Sequence, residues 1–166
     1  VAVILIRASL FKPSKTSTSP IPPVFVNGEK ATGDLAEMIR CKTVSHIDSS
    51  LDDEGEFKKF EELLPTLFPA VFKKCSFEKV GNRGILIRWK GKSDEAPSVY
   101  MSHYDVVSVE ENDWEKPAFE GIIEDGVLWG RGTLDTKGTL NGILQAAETL
   151  INEGFVPKND VYFAFG

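Results

Sequence analysis

Two short apolar runs, Ser98-Val99-Tyr100-Met101-Ser102 and Val161-Tyr162-Phe163-Ala164-Phe165, enclose a segment whose apolar residues recur at helical spacing. That segment, Gly138 to Glu153, places Leu140, Ile143, Leu144, Ala147, Leu150 and Ile151 on one side, and Gly154 suits its C-terminal stop. Strand, helix, strand in that order leaves few architectures open. Unbroken apolar runs suit strands covered on both faces, so Ser98–Ser102 is expected to be buried and parallel to its neighbour. The expected fold class is therefore α/β, a mostly parallel sheet flanked by helices.

The preceding residues fit this frame. Thr32 or Asp34 is a candidate cap for a helix through Arg40, with Leu35, Met38 and Ile39 on one face. A second helix is expected over Glu54–Leu64 on Phe57, Phe60, Leu63 and Leu64, with Pro65 and Pro69 interrupting the chain after Leu64. Residues 76–80 and 84–90 alternate as strands about a turn at Gly81-Asn82-Arg83. The stretch from Tyr104 to Gly132 reads as irregular, and a loop that long inside a compact domain is usually functional. At the front, Val1 to Ile6 is continuously apolar, too short to span a bilayer, and reads as the end of a truncated leader or membrane anchor. Four prolines and five Ser/Thr from Lys12 to Pro23 then read as an extended linker. Residues 1–23 are thus expected to be leader and linker, and residues 24–166 the folded part. The apolar run that stops at Gly166 reads as the edge of a larger domain.

Composition excludes more than it selects. A net charge of −6, with no Lys/Arg stripe interleaved with aromatics, argues against nucleic acid as a partner. Two cysteines, Cys41 and Cys75, with no CxxC, remove a cysteine zinc site, and their pairing is left open.

The chemistry concentrates in two places. His103 and Asp105 come directly after the Ser98–Ser102 run, and side chains two apart in extended chain point the same way. The Asp105 carboxylate can then hold one ring nitrogen of His103 and leave the other to a metal. The same spacing suits a structural histidine, or a His–Asp pair serving a serine nucleophile. Ligand sites gather at the carboxyl ends of parallel strands, which favours a functional role. Asp135 lies in Gly130-Arg131-Gly132-Thr133-Leu134-Asp135-Thr136-Lys137-Gly138, just ahead of the long helix. It is either a capping acid or a second metal ligand. Walker-type phosphate spacing is absent. One imidazole and one carboxylate suit zinc, and a carboxylate can bridge two cations about 4 Å apart that polarise a carbonyl and activate water. His46, the other histidine, reads as solvated surface.

Three segments, Met101 to Val107, Trp114 to Phe119 and Asp125 to Gly138, resemble the zinc metallopeptidase family M twenty, which contains aminoacylase and carboxypeptidase-type enzymes. The resemblance covers about Gly33 to Gly166 and is most specific between Val99 and Leu150. It is strongest to the branch of Gly-X carboxypeptidase and N-fatty-acyl-amino-acid synthase/hydrolase. It implies two Zn2+ per complete site, with His103 on one zinc, Asp135 bridging both, and Asp105 in the catalytic set as the partner that orients His103. It also implies a cis peptide at Asp135–Thr136. Ser108 and Ala118 stand where this branch usually has prolines. The general base, the other zinc ligands and a lid domain with dimer contacts would lie beyond Gly166. The parent is then expected to be an amide hydrolase, a candidate homodimer outside the cytosol, acting on dipeptides or N-acyl amino acids with a free carboxylate. This piece alone is expected to be inactive. A non-catalytic binding relative on the same scaffold is the alternative, and a serine hydrolase is disfavoured because no GxSxG elbow occurs.

Overall fold

The computed structural model describes residues 1–12 and 26–166. Apart from Lys12, the linker expected between Lys12 and Pro23 lies outside them. The apolar N-terminus is a helix, α1 (Ala2–Leu10), with no buried residue. Among the described residues, no helix is long and apolar enough to cross a membrane.

Helix α2 (Gly28–Ile39) begins earlier than expected, because Asn27 rather than Thr32 or Asp34 caps it: its side chain accepts from Lys30 N. The Thr32 hydroxyl instead donates back to the Gly28 carbonyl within the helix. Helix α3 (Glu54–Leu67) is capped by Asp53 and runs through Pro65 rather than stopping there. An interior proline costs about 3 kcal/mol, and burial of Phe60, Leu64 and Phe68 on the inner side offsets it. Helix α4 (Pro69–Lys74) starts on a proline and has no local side-chain cap. Its first amides, Ala70 N and Val71 N, donate to the two carboxylate oxygens of Glu148.

The strands are β1 (Ser76–Val80), β2 (Gly84–Trp89), β3 (Ser93–Ser102) and β6 (Asn159–Phe165), with a small hairpin of β4 (Ile122–Glu124) and β5 (Val127–Trp129) inside the Tyr104–Gly132 stretch. The main sheet has the order β1-β2-β6-β3. β3 and β6 are parallel, joined through α5 (Gly138–Asn152), and the β1–β2 and β2–β6 pairs are antiparallel. The class is α/β as expected, with a mixed sheet.

Register explains the core. Ile85, Ile87 and Trp89 face the same side as their partners Phe165, Phe163 and Val161. Against that face pack Met38 from α2, Phe57, Phe60 and Leu64 from α3, Val71 from α4, and Leu140 and Leu144 from α5. One expectation fails. Val99, Tyr100 and Met101 are 56%, 52% and 71% exposed, not buried. β3 is the edge strand, hydrogen-bonded only to β6, so its apolar side chains lack a second neighbour. Cys41 is buried, Cys75 half-buried, and both are free thiols.

Glu148 is buried and accepts from both leading amides of α4. Glu148→Ala strands those donors, so it should cost about 2–4 kcal/mol. The expected readout is a lower urea midpoint at unchanged m-value.

Candidate active site

The residues His103-Tyr104-Asp105 continue extended from the carboxyl end of β3. Tyr104 is fully buried, stacked on Phe60 at 4.6 Å and edge-on to Phe57, and its hydroxyl donates to the Arg83 carbonyl at 2.6 Å. Burial pushes its phenol pKa up. Because alternate side chains take opposite sides, sinking Tyr104 into the core turns His103 and Asp105 outward together.

His103 Nδ1 lies 3.0 Å from both the carbonyl oxygen and Oδ1 of Asp105. Its Nε2 lies 3.0 Å from Oδ1 of Asp135. Partial burial works against the imidazolium, but the Asp105 carbonyl, the Asp135 hydrogen bond and the two negative charges outweigh it and hold the His103 pKa above the ordinary value. Asp135 is the exposed member, 85% accessible at its side chain.

Asp135 is placed by what surrounds it. Gly132 enters the turn at φ 87°, and a Cβ there would meet Val106 Cγ1 at 2.7 Å, so only glycine fits. The Asp135–Thr136 peptide is cis, as the resemblance implies. The Thr136 hydroxyl donates to the His103 carbonyl at 3.0 Å and lies 2.5 Å from the Ser102 hydroxyl, which stitches the turn to the end of β3. Next in sequence, Lys137 is fully buried. Its Nζ donates to the carbonyls of Met38 at 3.0 Å and Cys41 at 2.7 Å, tying the turn to the end of α2. Burial lowers its pKa to about 8.

A further segment completes the site. Val44 bridges Val106 in parallel, with Val106 N donating to Thr43 O and Ser45 N to Val106 O. The Thr43 hydroxyl donates to the Tyr104 carbonyl, and the Ser45 hydroxyl to Asp105 Oδ2, each at 2.5 Å. Sequence reasoning misses Ser45, Thr136 and Lys137; the alternating hydroxyls of Thr43-Val44-Ser45 are the available signal. His46 is exposed as expected, yet it is paired, with Nδ1 2.8 Å from Asp52 Oδ1. His103, Asp105 and Asp135 line one cleft of about 480 Å³ together with Trp114, Trp129 and Arg131.

The donor chemistry of His103 and Asp135 fits zinc: an imidazole held from behind by a carboxylate, and an exposed carboxylate beside its free nitrogen. Among the described residues, no set of three or more His, Cys, Asp or Glu side chains is gathered closely enough to hold a metal.

Residues 99–166, which contain His103, Asp105 and Asp135, match the model of Peptidase family M20/M25/M40. Over those residues the chain is similar to this peptidase family. It is 40% identical over 136 residues to a probable carboxypeptidase S-like 2 of Dictyostelium discoideum, covering 80% of this chain and 26% of that protein. It is 35% identical over 135 residues to the N-fatty-acyl-amino acid synthase/hydrolase PM20D1 of Bos taurus, covering 80% and 27%. The chain thus spans about a quarter of the length of these curated relatives. The fold is that of an M20 family metallo-carboxypeptidase from Sulfolobus solfataricus, at a TM-score of 0.64 and 20% identity over 81% of this chain and 30% of that one.

Lys137 supplies a test of the turn. The folded lysine gives up its proton at about 8, whereas the ordinary value is 10.5. Between these the unfolded chain binds more protons, so stability rises with pH by about 1.4 kcal/mol per unit. Relative to Lys137→Met, the wild type should therefore gain about 3 kcal/mol between pH 8 and 10.5. Urea unfolding of both proteins across that window checks it.

Proposed function

We propose that these residues form part of the active site of a two-zinc amide hydrolase, with His103 holding one zinc through Nε2 and Asp135 bridging the pair. The observation that carries the reading is the position of His103, 3.0 Å from Asp135 on one nitrogen and 3.0 Å from Asp105 on the other. Two oxygens of Asp105 accept at Nδ1 against one of Asp135 at Nε2, which favours the proton on Nδ1 and leaves Nε2 as the metal-binding nitrogen. Zinc, when bound, supplies polarisation of the scissile carbonyl and acidification of water. Asp105 orients His103 and strengthens it as a donor. Trp114 and Trp129 line the same cleft and offer apolar walls to a bound substrate.

The substrate class is a small amide with a free carboxylate, a dipeptide or an N-acyl amino acid. It rests on relatives named carboxypeptidase S-like and N-fatty-acyl-amino acid synthase/hydrolase. In this reading the remaining zinc ligands and the general base come from outside the described residues. The apolar run Val1–Ile6 favours a location outside the cytosol. A serine-hydrolase reading fits poorly. Ser45 bonds the acid rather than the imidazole, and Ser102 bonds Thr136, so no serine hydroxyl among the described residues is bonded to a ring nitrogen of His103.

In the full-length protein, chelation should abolish hydrolysis of N-acyl amino acids and zinc should restore it. His103→Ala or Asp135→Ala should lower kcat/KM by roughly a thousandfold or more, with metal content falling in parallel. Hydrolysis that survives both chelation and Asp135→Ala would overturn the reading.

A further inference from the structure

We propose that Ser45 is a positioning residue for His103, acting through Asp105. The Asp105 carboxylate has two jobs at two oxygens. Oδ1 faces His103 Nδ1 at 3.0 Å, and Oδ2 accepts the Ser45 hydroxyl at 2.5 Å. A carboxylate attached at one Cβ and only partly buried rotates freely unless both of its oxygens are engaged. Ser45 engages the second oxygen, and its own placement is fixed by backbone rather than by side-chain packing. Ser45 N donates to the Val106 carbonyl at 3.0 Å and Val106 N to the Thr43 carbonyl at 2.8 Å. The residue that must be oriented and the residue that orients it are therefore neighbours in one short parallel bridge, Val44 to Val106.

The consequence falls on the imidazole. His103 has an acceptor at each nitrogen, Asp105 at Nδ1 and Asp135 at Nε2. In the neutral ring these compete for one proton. A fixed Asp105 carboxylate keeps that proton on Nδ1 and leaves the Nε2 lone pair free, as a metal donor must be. A rotating one leaves Nδ1 only the Asp105 carbonyl at 3.0 Å, and the exposed Asp135 carboxylate at Nε2 then competes for the proton on nearly even terms. Ser45 thus selects the tautomer, two hydrogen bonds away from the nitrogen it protects.

The use of that tautomer for zinc rests on the proposed function, but the tautomer itself is measured without metal or substrate. The test is the ring 15N shifts of His103 in the metal-free full-length protein, at a pH where the ring is neutral, with its signals identified by their loss in H103N. In the wild type the Nδ1–H form should exceed the Nε2–H form by about tenfold or more, and in S45A the ratio should fall to about threefold or less. Threonine keeps the hydroxyl and valine copies its shape without it, so S45T should restore the wild-type ratio and S45V should not. This second pair also decides the matter if S45A fails to fold, and unchanged amide shifts at Val44 and Val106 verify the bridge. Equal ratios in S45T and S45V would overturn the proposal and leave the hydrolase reading standing. A metal-independent full-length protein would sink that reading and leave the tautomer result as it is.

Discussion

Burial of one tyrosine sets the orientation of everything at the site. Tyr104 sits between two candidate functional side chains, and the core grips it on three sides: a stacked Phe60, an edge-on Phe57 and the Arg83 carbonyl on its hydroxyl. Its backbone is held as well, since Tyr104 N donates to the Gly166 carbonyl at the end of β6. Extended chain cannot bury the middle residue of three without presenting the outer two on the other side. His103 and Asp105 are thus aimed by the same apolar contacts that hold α3 on the sheet. Precision at a polar site here derives from packing beneath it.

The Asp135 turn is fixed differently. It has little apolar anchorage, with Leu134 almost wholly exposed, and depends on polar ties in two directions. Thr136 fastens it to the end of β3, and the Lys137 amine fastens it to carbonyls at the end of α2. A buried lysine is costly when charged, and the fall of its pKa to about 8 is the sign of that cost. A neutral amine still has two hydrogens for two carbonyls, so losing the charge does not break the tie. Asp135 itself stays exposed while the two residues that follow it are locked, which is how a carboxylate is kept available without being left loose.

Much of this is legible in the sequence, for a physical reason in each case. Period decides element type, so α5, the β1–β2 hairpin and the α/β order can be read from apolar spacing. The outward pairing of His103 and Asp105 comes from the two-residue repeat of extended chain. The features that escape are set by partners far away in sequence. Whether Val99–Met101 is buried depends on which strand lies beside it, and no local pattern carries that. Lys137 reads as an ordinary surface charge until α2 is seen to end above it. Ser45 is one polar loop residue among several until the Val44–Val106 bridge brings it to Asp105 across 60 residues of chain. The true start of α2 is local, but the capping role of Asn27 is masked by Gly28 and Gly33, which look like helix breakers.

The borrowed cap of α4 has a consequence for the order in which the chain becomes ordered. Its two leading amides wait for a carboxylate 77 and 78 residues later. During synthesis from the N-terminus, α4 leaves the ribosome well before Glu148 exists to receive it. The helix is short, proline-led and without any local substitute, so its first turn has no stable partner in that interval. The capping of α4 therefore waits for α5, which brings Glu148 and the core residues Leu140 and Leu144 on one helix.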